Sequence, residues 1–367
     1  MSGTSMDAVD VALVRIGDAR IGTDALAVLG YRQFPIEPAL KARVRALHGG
    51  SQVNELTECD ALLGQLFADA TLRLLETENT PARRVAAIGS HGQTVLHRPD
   101  SRPPRSLQIG DPNIIAHRTG ITTVADFRRK DLAAGGQGAP LAPAFHAAQF
   151  RCRGRERVIV NLGGIANLSW LPADFERPIA GFDSGPGNGL LDDWNRRHQG
   201  TEMDRDGQWA ASGRVHARLL ERLLADDFFA LPPPKSTGRD YFNLAWLERA
   251  LAGVGAELAP ADVQATLLAL TVCSIAAAIG RCAAGPNLEV FLCGGGVHNR
   301  HLVAQLKQHL PHAAIADTGA LGIDPDAVEA VTFAWLARQT LARRAVPVAE
   351  ITGADGAQVL GGVYYAG

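Results

Sequence analysis

The 367-residue sequence is poor in cysteine and lysine and lacks a long apolar run, and each scarcity removes a class of protein. The five cysteines (Cys59, Cys152, Cys273, Cys282, Cys293) are an odd number without a C-x-x-C pair. That pattern supports neither a disulfide framework nor a zinc ribbon and suits reduced thiols. Lysine occurs only at Lys41, Lys130, Lys235 and Lys307, none after a glycine, so the phosphate loop G-x-x-x-x-G-K-[ST] is excluded and any ATP site needs another construction. No apolar run approaches the ~18 residues of a membrane span, and the first residues lack the charged-then-apolar order of a secretory signal. The expectation is a cytoplasmic protein with no membrane partner. A net charge of −2, with basic residues spread along the chain, gives no field for nucleic acid.

What the sequence does have is glycine, and a 46% hydrophobic content sufficient for a large core, which at this length suggests two domains. Gly181–Asn188, GFDSGPGN, places the Asp183 carboxylate after an apolar run (Pro178, Ile179, Ala180) and before a loop with almost no side chains. A carboxylate in that setting suits a general base, and the loop lets backbone approach a ligand, with Asn188 as cap of a helix signalled by Leu190, Leu191 and Trp194. The plainer alternative is a strand-turn-helix corner in which Asp183 serves only its own turn. Val158–Val160 runs through Asn161 and Leu162 into Gly163, Gly164 and Ile165–Leu168, and reads as a β-hairpin whose turn N–H groups can face phosphate. Leu288–Leu292 reads as a buried strand entering Cys293, Gly294, Gly295 and Gly296, before a helix started by Asn299 or His298. That corner either receives a nucleotide's base and ribose or is a tight connection.

The chain opens with MSGTSMDAVD, a turn before a strand in which Val9, Val11, Leu13 and Ile16 alternate loosely. Gly3, Thr4 and Ser5 offer N–H groups and hydroxyls; Asp7 and Asp10 offer carboxylates for a phosphate-bound Mg²⁺, direct or through water, against the plainer reading of a frayed terminus. Residues 24–35 read as a strand, 36–48 and 54–77 as helices, and Val85–Ile88 as a short strand ending in Gly89, Ser90, His91, Gly92, Gln93 and Thr94. Clustered hydrogen-bonding side chains at a strand end suit a sugar; a histidine satisfied in its own turn is the alternative. Gln108–Asn113 forms a second polar cluster. Asp126, Arg128, Asp131, Gly135, Gly136, Gln137, Gly138 and Pro140 form a third, whose glycines mark a hinge or ligand-facing loop. Helices are expected over 212–225, 243–252, 259–284 and from Pro325 to about Arg343. The last is capped by Asp324 and carries Glu329 in its first turns, where the helix dipole alone accounts for a carboxylate. Val359, Leu360, Val363 and Tyr364 suggest a terminal strand or docked tail.

Taken in order, MSGTSMDAVD, SHGQT, QIGDPN, DFRRKDLAAGGQGAPL, NLGGIANL, GFDSGPGN, FLCGGGVHN and EAVTFAWLA resemble the motifs of the anhydro-N-acetylmuramic acid kinases along nearly the whole chain. The resemblance implies the fold of the actin, Hsp70 and sugar-kinase superfamily, two α/β domains with ATP in the cleft between them. Here these would be 1–133, to which 345–367 return, and 134–344. It implies that Gly3, Thr4, Ser5, Met6, Asp7, Ala8, Val9 and Asp10 form a first phosphate turn, Asn161–Asn167 with Gly163 and Gly164 a second, and Gly294–Gly296 the adenosine side. Asp183 matches the family's catalytic base and Glu329 an acidic residue near the sugar, while His91, Gln93, Thr94, Gln137 and Gly138 fall in sugar-facing loops. The implied reaction uses ATP and Mg²⁺: water opens the 1,6-anhydro ring, and the released 6-oxygen takes the γ-phosphoryl group, a step of peptidoglycan recycling. Relatives are generally homodimers. Two positions depart from the family: it carries a short strand ahead of MSGTS, and glycine is common where Ala8 stands. The alternatives are a non-catalytic nucleotide-binding relative impaired by the short N-terminus, and a glycoside hydrolase using Asp183 and Glu329 without ATP. Arg98, Arg128 and Arg239 are unranked candidates for the sugar's lactyl carboxylate.

Overall fold

The computed structural model describes the chain except residues 4, 5, 7, 18–25, 48–51, 256, 284 and 286. It divides into two compact units, Met1–Phe145 with Ala327–Gly367, and His146–Asp326. This corrects the expected limits at 133/134 and 344/345, and packing gives the reason. In the helix Ala142–Phe150, Phe145 stacks 5.9 Å from Trp335 in the first unit, whereas the next residue, His146, bonds Ser169 at 2.8 Å in the second. The helix Val328–Leu341 packs on strands of the first unit.

In the first unit, β1 (Ala8–Ile16) and β2 (Leu26–Pro35) pair antiparallel. They are followed by β3 (Ile88–Gly89), the antiparallel pair β4 (Gln93–Arg98) and β5 (Arg105–Ile109), and β6 (Thr123–Ala125). β6 runs parallel to β3 and antiparallel to the terminal strand Gly362–Tyr364, so the chain's end does return to this unit. The helix Val53–Thr77 buries Cys59, Leu63, Phe67, Ala70 and Leu74, one stripe at three- and four-residue spacing, and its upper part joins Val9, Val95 and Ile109 in one core.

The second unit is built on a five-stranded sheet. Its strands are β7 (Glu156–Leu162), β8 (Ile165–Leu171), β9 (Ala180–Pro186), β10 (Leu288–Cys293) and β11 (Ala314–Asp317), in the order β11-β10-β7-β8-β9. β7, β10 and β11 are parallel and the β7-β8-β9 edge is antiparallel. Val158, Ile159 and Val160 are wholly buried, the unbroken apolar run of a central strand covered on both faces. The helix Pro260–Cys282 packs on β8 and β9 and buries Val263, Leu267, Leu270, Ile275 and Ile279, each worth about 1.5–3 kcal/mol of transfer free energy. It is long and apolar enough to cross a membrane, which corrects the expectation that the chain holds no such run; most of its apolar window is buried inside the protein.

Two expected helices differ. The 212–225 segment is two helices, Gln208–Ser212 and Ala217–Leu224, because His216 starts the second by accepting the Leu219 N–H on Nδ1. The last long helix begins at Val328, not Pro325. Asp324 accepts the Asp326 N–H in a turn one step earlier, and the Pro325 carbonyl is committed to the Gly294 N–H.

Candidate active site

In the second unit, three glycine-bearing bends interlock at one end of the sheet. The Gly163 carbonyl accepts the Asn188 N–H at 2.8 Å, and the Gly164 carbonyl accepts those of Gly187 and Gly189 at 3.1 and 3.0 Å. A Cβ on Gly187 would lie 2.3 Å from the Gly163 oxygen, so only glycine allows this approach. The Gly163 and Gly164 N–H groups donate to none of the described residues. Asn188 does not cap the following helix. It is the first helical residue, Gly187 holds the cap position, and the Asn188 amide reaches back to the Leu162 carbonyl at 3.0 Å. The third bend meets the same hairpin: Gly294, at φ +79°, would place a Cβ 2.3 Å from Asn161 Oδ1, and Gly296 one 2.5 Å from Leu162 Cβ. Asn299 starts the helix after this bend, its Oδ1 accepting the Leu302 N–H at 3.0 Å.

Asp183 lies on β9 opposite Asn167 of β8, and the strand runs on through Ser184–Pro186, expected as the start of a loop, because these residues pair along β8. The side chain is 9% exposed, and its Oδ2 accepts the Thr237 N–H at 2.8 Å while its own N–H donates to the Lys235 carbonyl at 3.1 Å. The carboxylate is thus tied to a loop more than fifty residues on in the chain. The 235–237 segment went unrecognised in the sequence; the signal was there in PPPKSTGR, which spends one of four lysines after three prolines.

The first unit arranges side chains. Asp10 Oδ1 accepts from the Tyr31 hydroxyl at 2.6 Å and the Gln33 amide at 2.9 Å, both from β2. Met6 takes φ +54° with its N–H on the Gly3 carbonyl, Ala8 opens β1 with Val9 buried beside it, and Thr4, Ser5 and Asp7 lie outside the described residues. Among the described residues no group of three or more His, Cys, Asp or Glu side chains is placed to hold a metal. Asp10 therefore fits Mg²⁺ only in the manner usual for that ion, one or two carboxylates completed by phosphate oxygens and water. Burial and then the Asp10 carboxylate push the Glu329 carboxyl above its ordinary range, against the pull of Arg128, although the Glu329 side chain reaches solvent.

His91 is buried with both ring nitrogens in use. Nε2 accepts from Arg128 Nε at 2.9 Å, which leaves Nδ1 to donate to the Gly92 carbonyl at 3.1 Å. Burial first, and the guanidinium next, drive its pKa well below the ordinary value, so the ring is neutral. It also fixes Arg128, whose Nη1 donates to the Gly138 carbonyl at 3.0 Å. The Gly138 N–H donates to Asp131 Oδ2 at 2.6 Å, Thr352 Oγ1 donates to Oδ1 at 2.7 Å, and the Gln137 N–H donates to the Thr352 carbonyl. Fully buried Asp131 thus pins the glycine loop, with its pKa raised by burial. Thr94 Oγ1 accepts from Gln108, and the buried Gln93 Oε1 meets no donor among the described residues. Ser90–Gly92 and Gln108–Asn113, two polar clusters apart in sequence, line one cavity of ≈ 340 Å³ with Asp60 and Tyr364.

Comparison with known proteins follows the same span. A family model described as anhydro-N-acetylmuramic acid kinase matches residues 1–366. The anhydro-N-acetylmuramic acid kinase of Coxiella burnetii (strain Dugway 5J108-111) is 48% identical over 370 residues, covering 100% of this chain and 96% of that one. That of Xanthomonas axonopodis pv. citri (strain 306) is 48% identical over 370 residues, covering 99% and 96%. Among solved structures, a ROK family glucokinase from Streptomyces griseus in complex with glucose and AMPPNP aligns at 12% identity over 90% of this chain and 100% of that one. Its TM-score is 0.36.

Proposed function

The chain belongs to the anhydro-N-acetylmuramic acid kinase family, and from that premise we propose how its own residues carry an ATP-dependent opening and phosphorylation of 1,6-anhydro-N-acetylmuramic acid. Asp183 takes a proton from water as the water oxygen bonds the anomeric carbon; the bond from that carbon to O6 breaks; and O6 takes the γ-phosphoryl group as ADP leaves. The product is N-acetylmuramic acid 6-phosphate. The observation that supports this most is the pairing of β9 with the hairpin strand β8: it puts a carboxylate, held by the Thr237 N–H, on the strand next to a turn whose Gly163 and Gly164 N–H groups donate to none of the described residues. Gly163, Gly164 and Gly294–Gly296 hold the nucleotide through backbone, as a chain without a P-loop lysine requires.

The first-unit residues receive the sugar. The loops that carry His91, Gln93 and Thr94, and Gln137 and Gly138, face the sugar. Arg128 takes the lactyl carboxylate: it is held against the neutral His91 ring and the Gly138 carbonyl, beside the sugar-facing loops, whereas Arg239 is ion-paired to Asp193 at 2.6 Å. Glu329, which interacts with the Asp10 carboxylate, is read as an acidic residue on the sugar side. Asp10, with Asp7, would hold Mg²⁺, which offsets charge on the transferring phosphoryl group when bound. A homodimer in the cytoplasm, working in peptidoglycan recycling, completes the proposal. The test is to incubate protein with the anhydro sugar, with and without Mg-ATP. Phosphorylated sugar only with ATP is the expected result; free sugar formed without ATP, or no product, would reject it.

A further inference from the structure

We propose that Lys235 is a positioning residue for Asp183: it anchors the 235–237 segment that brackets the base and faces it with a positive charge. The role rests on reading Asp183 as the base. Lys235 is 4% exposed, although a buried lysine is costly and rare unless something needs its charge. Its ammonium donates to the Phe228 carbonyl at 2.9 Å and lies 4.4 Å from the centre of the Phe228 ring, a fixed berth at the end of the short helix Asp227–Ala230. From that anchor the backbone reaches Asp183 twice. The Lys235 carbonyl accepts the Asp183 N–H at 3.1 Å, and two residues on the Thr237 N–H donates to Asp183 Oδ2 at 2.8 Å. Freeing the ammonium loosens both bonds, and with them the aim of the carboxylate.

The charged groups facing the Lys235 ammonium are Asp183 on β9 and Arg281 on the helix Pro260–Cys282. Asp226, at the start of the Phe228 helix, is committed to Tyr241 and Trp246. Burial, and then Arg281, lower the Lys235 pKa to about 8 against the pull of Asp183. The lysine is therefore charged at neutral pH and loses its proton just above it. Once neutral, the amine no longer holds a charge over the Phe228 ring, and the anchor of the 235–237 segment weakens.

The experiment measures kcat against pH with the anhydro sugar and Mg-ATP for the wild type, Lys235→Arg, Lys235→Gln and Asp183→Asn, with ADP binding followed by calorimetry. The wild type is expected to lose turnover on an alkaline limb near pH 8. Lys235→Arg, which stays charged, is expected to lack that limb. Lys235→Gln, which keeps a donor but no charge, should fall about tenfold or more in kcat and bind ADP within about twofold of wild type. An unchanged alkaline limb in Lys235→Arg, or wild-type turnover in Lys235→Gln, would overturn the proposal. If Lys235→Gln does not fold, the Lys235→Arg profile decides alone. Near-normal turnover in Asp183→Asn would remove the base itself, and that failure is distinct from a failure at Lys235.

Discussion

In the second unit, Gly187, Gly294 and Gly296 stand where a methyl group would come within 2.3, 2.3 and 2.5 Å of the hairpin, so the site is ordered by chain that cannot yield. In the first unit the same work is done by His91, Arg128, Asp131 and Thr352, hydrogen-bonded in series. Backbone contact suits a ligand group that is the same in every turnover, such as a triphosphate. A side-chain network suits a ligand recognised by its particular hydroxyls and carboxylate. The contrast implies that damage to the two units should separate cleanly: nucleotide affinity on one side, sugar use on the other.

The largest separable effect is expected at Arg128. Arg128→Leu should cut kcat/KM for the anhydro sugar roughly 100-fold, the scale of a lost charged hydrogen-bonded pair, with ADP affinity unchanged. Equal losses for nucleotide and sugar would break the division of labour. Gly294→Ala puts a methyl against Asn161 at a backbone angle that L-residues rarely adopt, and should weaken ADP binding about tenfold while the KM for sugar holds. Calorimetry showing wild-type affinity would mean the interlock is not what shapes the nucleotide side. Thr352→Val leaves a buried Asp131 oxygen without its donor, at a cost of about 1–3 kcal/mol in urea unfolding. A cost near zero would show that the loop is held elsewhere.

The smallest effect concerns pH. Burial lowers the pKa of His146 to about 3, so below its ordinary 6.5 the unfolded chain binds a proton that the folded chain refuses. Its contribution to stability is present above pH 6.5 and is lost as pH falls from there toward 3. His91 acts with the same sign. His146→Gln should therefore lose melting temperature less steeply than wild type over that window, with some slope remaining from His91; an unchanged slope would contradict the account.

The second unit was the more legible in sequence, and the reason is physical. A glycine demanded by a close approach is visible as a missing side chain: Asn161–Asn167 and Gly294–Gly296 each read as a bend, whereas Ser184–Pro186 continue the strand and the chain turns only at Gly187. What those bends touched was not legible: Asn188 was expected to cap a helix and instead ties to Leu162, a contact set by pairing across the sheet. The first unit hid more, because its links join residues far apart in the chain. His91 bonds Arg128 37 positions on, and Thr352 reaches Asp131 across 221. Lys235 was overlooked for the same reason, since its meaning lies in a strand 52 residues before it. The helix at 325–343 was found by its apolar spacing, but its start was misplaced by a proline that serves another loop.

The account depends most on Asp183 acting on water while separate backbone elements hold the nucleotide. Asp183→Asn, nearly the same in shape, tests this directly: product formation and ADP binding are measured on one preparation. The expected result is turnover reduced by ~10²–10⁴, the range for removal of a general base, with ADP bound as tightly as by wild type. N-acetylmuramic acid 6-phosphate formed at close to the wild-type rate would contradict it.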